Sequence, residues 1–359
     1  LYAFGTFLAL LLRRRYRARF PMRIRLLAAL SLLLLLVSGL APAAPPTTLK
    51  LVSDVWPPFT DVEGKPREAI ELVKAALQRG GVQARFSILT WSAAVEAIET
   101  GKADGSAAMW KTPEREKYLL FSKPYLENRL VLVGRKGEPV SFTKVSELAG
   151  KRLALTKGYA YGESVTRAPG VALVVRNNDA DCLRAVLSKQ ADYVLLDQLL
   201  VRHLFDFHSS KAGGLIEAGD TPIVRYPLYF ALRKDHPQAA QIIADFDKNV
   251  ERMKADGTYN TVLNVPWIRA DIDGDGVAEY VGSKKTTMKT ATDPSTNKSA
   301  YPVFVPENAV PNMTRSPGYV IDGKSYNNWG DAATTIQRTG PTKPQGVYKY
   351  STGVVLLEF

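Results

Sequence analysis

From Thr48 onward, short apolar runs alternate with helical periodicity, and this alternation restricts the chain to few folds. Leu49–Ser53 reads as a strand. Arg67–Arg79 (REAIELVKAALQR) spaces its apolar residues along one helix face and stops at Gly80-Gly81. Ala84–Leu89 is the next strand, Ser92–Thr100 the next helix with Ser92 as its N-cap, and Ala103–Met109 a third strand. The order repeats with a strand at Arg152–Thr156, a helix at Asp181–Ser188 and a strand at Ala191–Leu196. A strand at Pro222–Leu232 and an amphipathic helix at Pro237–Asp256, closed by Gly257, complete this part. Successive βα units bury their strands on both faces, so the expected fold class is α/β with a mostly parallel sheet covered by helices. The runs AIETGKAD (97–104) and AVLSKQAD (185–192) echo one another, each leading into a strand, as two lobes of like construction would.

The N-terminal residues read as an address. Arg23 and Arg25 precede a continuous apolar run, Leu26–Ala41, and Ala41-Pro42-Ala43 has the A-x-A form of a cleavage site. This is the pattern of a secretory signal peptide, with cleavage expected near Ala43. The run is shorter than the ~20 residues that span a bilayer comfortably. Residues 1–43 are therefore assigned to the leader, with Met22 the expected initiator. No cysteine follows the run to carry a lipid, and an unanchored exported protein stays with the cell where an outer membrane retains it, so a periplasmic location is expected.

The formal charge of +12 hints at nucleic acid, but seven of the arginines crowd between Arg13 and Arg25, and no acidic residue precedes Asp54. The basic excess thus belongs largely to the leader, and nucleic-acid binding is set aside. One cysteine, Cys182, excludes an internal disulfide framework, and three histidines leave little for a His-rich metal centre.

Several stretches then line up in order. Val52-Ser53-Asp54-Val55-Trp56-Pro57-Pro58-Phe59 is an opening strand followed by an aromatic-Pro-Pro-Phe loop. Trp91 is followed by Glu99-Thr100-Gly101-Lys102-Ala103-Asp104. Thr112-Pro113-Glu114-Arg115 precedes Phe121-Ser122-Lys123-Pro124-Tyr125. Lys157-Gly158 follows a strand, Ala191-Asp192 leads to Asp197, and Lys254-Ala255-Asp256-Gly257-Thr258-Tyr259 closes the last helix. From about Leu49 to Val265 the chain resembles the family 3 extracellular solute-binding proteins, the periplasmic amino-acid receptors of ABC importers. The resemblance implies the two-lobed periplasmic-binding-protein fold of type II. Lobe 1 would comprise 46–133 plus 225–266 and lobe 2 136–222, with two crossover strands near Leu130–Arg135 and Val224–Arg233. It also implies a monomer that closes on an amino acid or related small polar solute and presents it to an inner-membrane ABC permease.

A free amino acid carries a carboxylate and an ammonium, so its receptor needs a fixed cation and a fixed anion. By resemblance Arg115 takes the carboxylate, for which a planar guanidinium is suited, with Thr112 as a further donor. Asp197, at the end of the strand Tyr193–Leu196, takes the ammonium by resemblance; as an N-cap for a helix from Gln198 it serves equally well. Asp54, Trp56, Trp110, Gly158, Tyr159 and Tyr161 complete the expected ligand site, the aromatics forming walls that stack on a side chain or contact a cation. Two positions depart from the family pattern: Trp110 replaces a small hydroxylic residue, and Tyr159-Ala160 follow Gly158 where Ser or Thr is common. They leave the ligand's identity open.

Asp271-Ile272-Asp273-Gly274-Asp275-Gly276-Val277-Ala278-Glu279 fits D-x-D-x-D-G-x-x-E. Carboxylates from Asp271, Asp273, Asp275 and Glu279 and the Val277 carbonyl suit a hard cation, and a structural Ca2+ is expected in a loop spanning 267–282. Position 12 is Gly282, so this is not an EF-hand. Residues 283–318 read as linker, and 319–337 as a strand, an Asp-Gly turn, a strand and a short helix, making 283–359 a linker with a small C-terminal subdomain. No nucleophile–base pair stands out, so the chain is expected to bind without catalysis. The alternatives are a dehydratase-like enzyme on the same fold, marked by turnover of its ligand, and a sensor or interaction module that docks through the tail.

Overall fold

The computed structural model describes residues 48–287, 292–297, 300–304 and 318–337. The leader, Met22 and the end of the tail lie outside them. Among the described residues no helix is long and apolar enough to cross a membrane.

The first half is built from β1 (Thr48–Ser53), α1 (Glu68–Arg79), β2 (Gln83–Ile88), α2 (Trp91–Glu99), β3 (Gly105–Met109), α3 (Pro113–Glu116) and β4 (Leu119–Phe121). The long strand β5 (Leu126–Arg135) leads into the second half: β6 (Arg152–Thr156), α4 (Glu163–Thr166), β7 (Ala172–Arg176), α5 (Asp179–Leu187), β8 (Tyr193–Asp197), α6 (Gln198–Leu215) and β9 (Ile216–Ala218). The equally long β10 (Val224–Arg233) returns the chain to the first half, where α7 (Ala239–Ala255) and α8 (Thr258–Leu263) follow.

The strands run in the order β2-β1-β3-β10-β5-β8-β6-β7. Strands β1, β2 and β3 are parallel to one another, as are β6, β7 and β8, as βα alternation requires. The two long strands join the halves. Val224–Leu228 of β10 pairs antiparallel with β5, whereas Tyr229–Leu232 pairs with β3. The first part of β5 pairs with β10 and its second part, Leu130–Gly134, with β8. Two lobes joined by two crossover strands result, as in the type II periplasmic-binding fold.

Helix α1 buries Ile70, Leu72, Val73 and Leu77, the stripe its periodicity predicts, and Asn249 of α7 donates to the Ala76 carbonyl at 3.0 Å. Gly105 allows β3 to pass β10 closely, since a Cβ there would stand 1.9 Å from the Ala231 carbonyl oxygen. The second helix begins one residue earlier than its sequence suggests. Thr90, not Ser92, is the N-cap, accepting from the Ala93 N–H at 3.4 Å, which puts Trp91 in the first turn.

Beyond α8 a second sheet forms in the order β13-β11-β12-β14-β15. Its strands are β11 (Trp267–Ala270), β12 (Glu279–Gly282), β13 (Tyr301–Pro302), β14 (Tyr319–Ile321) and β15 (Lys324–Tyr326), with helices α9 (Lys284–Thr287), α10 (Pro294–Asn297) and α11 (Trp329–Gln337). The 319–337 segment forms the strand–turn–strand–helix expected of it. The 267–282 stretch is more than a loop: its ends are strands, and the acidic run is the connection of an antiparallel hairpin. Part of the expected linker is also structured, as α9, α10 and β13. Ile268, Val281, Val303 and Val320 join the main hydrophobic core of the fold, so this subdomain is packed onto it, not tethered to it.

Candidate functional site

The strand ends of the two lobes face each other across a pocket lined by Asp54, Trp56, Trp91, Ala108, Met109, Trp110, Arg115, Tyr159 and Ala160. It encloses about 280 Å3, some of it open to solvent. Open α/β sheets place ligands at the carboxyl ends of their strands, and these residues occupy the ends of β1, β3 and β6.

From the first lobe, the chain leaving β1 turns at once. The Thr60 hydroxyl donates to the Asp54 carbonyl at 2.7 Å, and Trp56 and Thr60 bridge, holding the Trp56 ring on Phe59 at 4.5 Å between centroids. Trp91 projects from the start of α2. Trp110, just past β3, donates its indole N–H to the Asn128 side-chain oxygen at 2.7 Å. From the second lobe, Gly158 approaches closely: the Trp91 indole donates to its carbonyl at 3.1 Å, its φ is +78°, and a Cβ would lie 3.2 Å from Trp91 Cδ1. Only glycine meets both demands.

The rings form one continuous cluster across the cleft. Trp56–Trp110, Trp56–Tyr159, Trp110–Tyr159 and Trp91–Tyr159 have centroids 5.5–6.0 Å apart, mostly edge to face. Tyr161 lies in the layer behind, against Trp110 at 5.6 Å, with Tyr226 of β10 on that ring's flank at 4.7 Å.

Arg115 is buried at the pocket edge. Its guanidinium donates to the Trp110 carbonyl at 2.6 Å and to the Gly158 carbonyl at 3.4 Å, and lies 5.2 Å from the Trp91 ring centroid. Burial lowers its pKa, which still leaves it a cation. The Thr112 hydroxyl is outside the lining; it caps α3 by accepting from the Arg115 N–H at 3.2 Å.

One carboxylate, Asp54, lines the pocket, and a second, Asp179 of the other lobe, lies near enough to interact with it. Asp54 accepts from the Tyr159 hydroxyl at 3.0 Å, and burial pushes its pKa up to about 6 against that bond. Asp179, in the first turn of α5, accepts from Thr156 Oγ1 at 2.6 Å. Its pKa is pushed up to about 7, first by burial, with the charge of Asp54 adding to it and bonds from Thr156 and Trp56 opposing it. Neither has a Lys or Arg ion-pair partner among the described residues.

Asp197 stands behind the cleft wall instead of in it. One oxygen caps α6 through the Leu199 N–H at 2.7 Å; the other accepts from Asn128 Nδ2 at 3.0 Å and the Arg129 N–H at 2.9 Å. The helix-cap alternative is thus realised, and Asp197 does not line the pocket. Sequence reasoning missed Trp91 and Asp179 as site residues. Placing the second helix at Ser92 and α5 at Asp181 moved both out of the first turns that aim them at the cleft.

The acidic hairpin loop lies elsewhere, between β11 and β12. Side-chain oxygens of Asp271, Asp273 and Asp275 all lie within 4.8 Å of one another and are exposed. Asp271 accepts from the Gly274 and Gly276 N–H groups, and Asp275 from that of Val277. Glu279 turns back to the Ile272 N–H at 3.2 Å; its pKa is raised by burial and then by Asp273 and Asp275. Oxygen donors converging in this way fit a hard cation.

Two α/β lobes, two crossover strands and an aromatic-lined pocket at the interlobe strand ends define a two-lobed binding protein. The pattern of the bacterial extracellular solute-binding proteins, family 3, matches residues 51–268, and the chain belongs to that family. It is 24% identical over 217 residues to the ABC transporter arginine-binding protein 1 of Escherichia coli (strain K12), covering 59% of this chain and 86% of that one. It is 29% identical over 129 residues to the virulence sensor protein BvgS of Bordetella pertussis, 36% of this chain but 10% of the sensor. Among solved structures, an ancestral arginine-binding protein bound to arginine matches with a TM-score of 0.51 and 28% identity, over 60% of this chain and 96% of that one. The second sheet from β12 onward lies beyond the matched region.

Proposed function

We propose that this protein captures a small solute bearing both a carboxylate and a cationic group, a basic amino acid being the type case, and delivers it from the periplasm to an ABC permease. The observation that carries the reading is Asp54, a buried carboxylate in the lining of the aromatic cage, with Asp179 of the second lobe near enough to interact with it; among the described residues neither has a Lys or Arg ion-pair partner. Burying an unbalanced carboxylate is costly, and a ligand cation relieves that cost. Tryptophan and tyrosine faces add cation–π attraction. Arg115 offers its remaining N–H groups to the ligand carboxylate. Because the pocket walls come from both lobes, binding and closure are one equilibrium.

Titration calorimetry of the purified protein with L-arginine and L-glutamine tests this. L-Arginine is expected to bind more tightly. Arg115→Ala weakens both ligands at least tenfold, whereas Asp54→Asn weakens L-arginine by more and so erases the preference. Absence of heat with every basic and neutral amino acid sinks the reading.

A second proposal concerns the acidic hairpin loop, for which we infer a structural Ca2+ held by Asp271, Asp273, Asp275, Glu279 and the Val277 carbonyl. The convergence of the three exposed aspartates supports it.

A further inference from the structure

The second sheet touches the hinge through Tyr301. The Tyr301 hydroxyl, on β13, donates to the Glu127 carbonyl of the crossover strand β5 at 3.0 Å. Burial, with the charge of Asp197 next, keeps that phenol well above its ordinary pKa, so it stays a neutral donor. Strand β13 is not isolated: Ile268 and Arg269 of β11 pair with Tyr301 and Pro302, and β11 in turn pairs with β12.

Three consecutive residues of β5 carry the contact onward. The Glu127 carboxylate lies 3.4 Å from the Arg129 guanidinium and 4.0 Å from that of Arg225 on β10, so both crossover strands meet here. Arg129 donates to the Gln198 side chain at 3.0 Å and, through its backbone N–H, to Asp197 at 2.9 Å, both at the start of the second-lobe helix α6. Asn128 links that Asp197 to the Trp110 indole, and the Trp110 carbonyl accepts from Arg115. A continuous run of hydrogen bonds thus leads from the second sheet, through the hinge, to the cleft.

We propose that the second sheet governs the hinge, with Tyr301 as a positioning residue whose bond to Glu127 biases the crossover strands toward the closed arrangement. Lobe closure rotates the backbone of β5 and β10. A bond from an element seated on the first lobe to that backbone holds its full strength in only one of the two arrangements. By linkage, whatever steadies the second sheet then tightens ligand binding, and ligand in turn steadies the sheet. The dependence on Tyr301 is independent of which solute binds.

Hydrogen–deuterium exchange on Tyr301→Phe, with Tyr319→Phe as control, tests it. Both variants lose one phenol hydroxyl from the same sheet, but that of Tyr319 bonds Asp293 and Ser295, away from the hinge. Tyr301→Phe is expected to speed exchange several-fold in residues 126–135, leaving β1 and β6 unchanged, and Tyr319→Phe to leave 126–135 unchanged. Equal exchange at 126–135 in Tyr301→Phe and the parent protein overturns the proposal, as does the same acceleration in both variants. This arm needs no ligand, so it stands even where L-arginine fails to bind. Where it does bind, Tyr301→Phe weakens it about fivefold, the size of one hydrogen bond, with Tyr319→Phe unchanged.

Discussion

At the scale of single residues, the cleft is a place where charge is held against the grain of its surroundings. The folded protein keeps protons on Asp54 and Asp179, whose pKa values are about 6 and about 7, that an unfolded chain has lost above pH ~4. Stability from these groups is therefore full below the unfolded pKa and is lost as pH rises through the folded values. Asp179→Asn keeps the acceptor for Thr156 and removes the charge. Its melting temperature at pH 8 is expected to exceed that of the parent by a few degrees, for about 1–2 kcal/mol on a partly exposed site. The two proteins converge below pH ~4, the unfolded value. Differential scanning calorimetry at both pH values checks this, and a variant less stable at pH 8 contradicts it. Arg115, Trp56 and Asp54 were legible in the sequence because each sits in a motif of fixed spacing. Asp179 was not: it becomes a cleft residue only once Asn178, rather than a later residue, caps α5 and accepts from the Asp181 N–H at 2.8 Å.

At the scale of elements, periodicity revealed the helices well, since α1 and α7 bury the stripes their spacing describes. The βα alternation likewise gave the parallel strands. What it could not give was the second sheet. Strand β13 is two residues long, β14 and β15 are three each, and pairing between distant short strands leaves no local pattern. The acidic hairpin loop and the strand–turn–strand–helix pattern of 319–337 announced that region, but not the pairing that joins its strands into one sheet. Stripping the protein with EDTA and adding back 5 mM CaCl2 is expected to raise stability by about 1–2 kcal/mol, for a site of the ~0.1–1 mM class. Asp273→Asn should abolish the gain. An unchanged melting curve for the parent protein with and without CaCl2 would falsify the calcium assignment.

At the scale of the whole molecule, direct polar ties across the cleft include the Tyr159–Asp54, Trp91–Gly158 and Arg115–Gly158 bonds, all in one small region. A ligand that bridges the same region is expected to favour the closed arrangement. Small-angle scattering at pH 8 is expected to show a larger radius of gyration without ligand than with saturating L-arginine. Identical curves would mean that the lobes do not open.

The two cleft carboxylates have one more consequence. A seat whose acids titrate near neutrality is never empty of cations: it holds protons until a solute arrives. Near pH 6–7, capture of the proposed cationic solute is then expected to expel a share of a proton to the medium, so that the binding heat depends on the buffer that takes it up. Acidification runs the exchange backwards. On the proposed reading, binding of a cationic solute is expected to weaken as pH falls from 7 to 5, which titration calorimetry across that range checks.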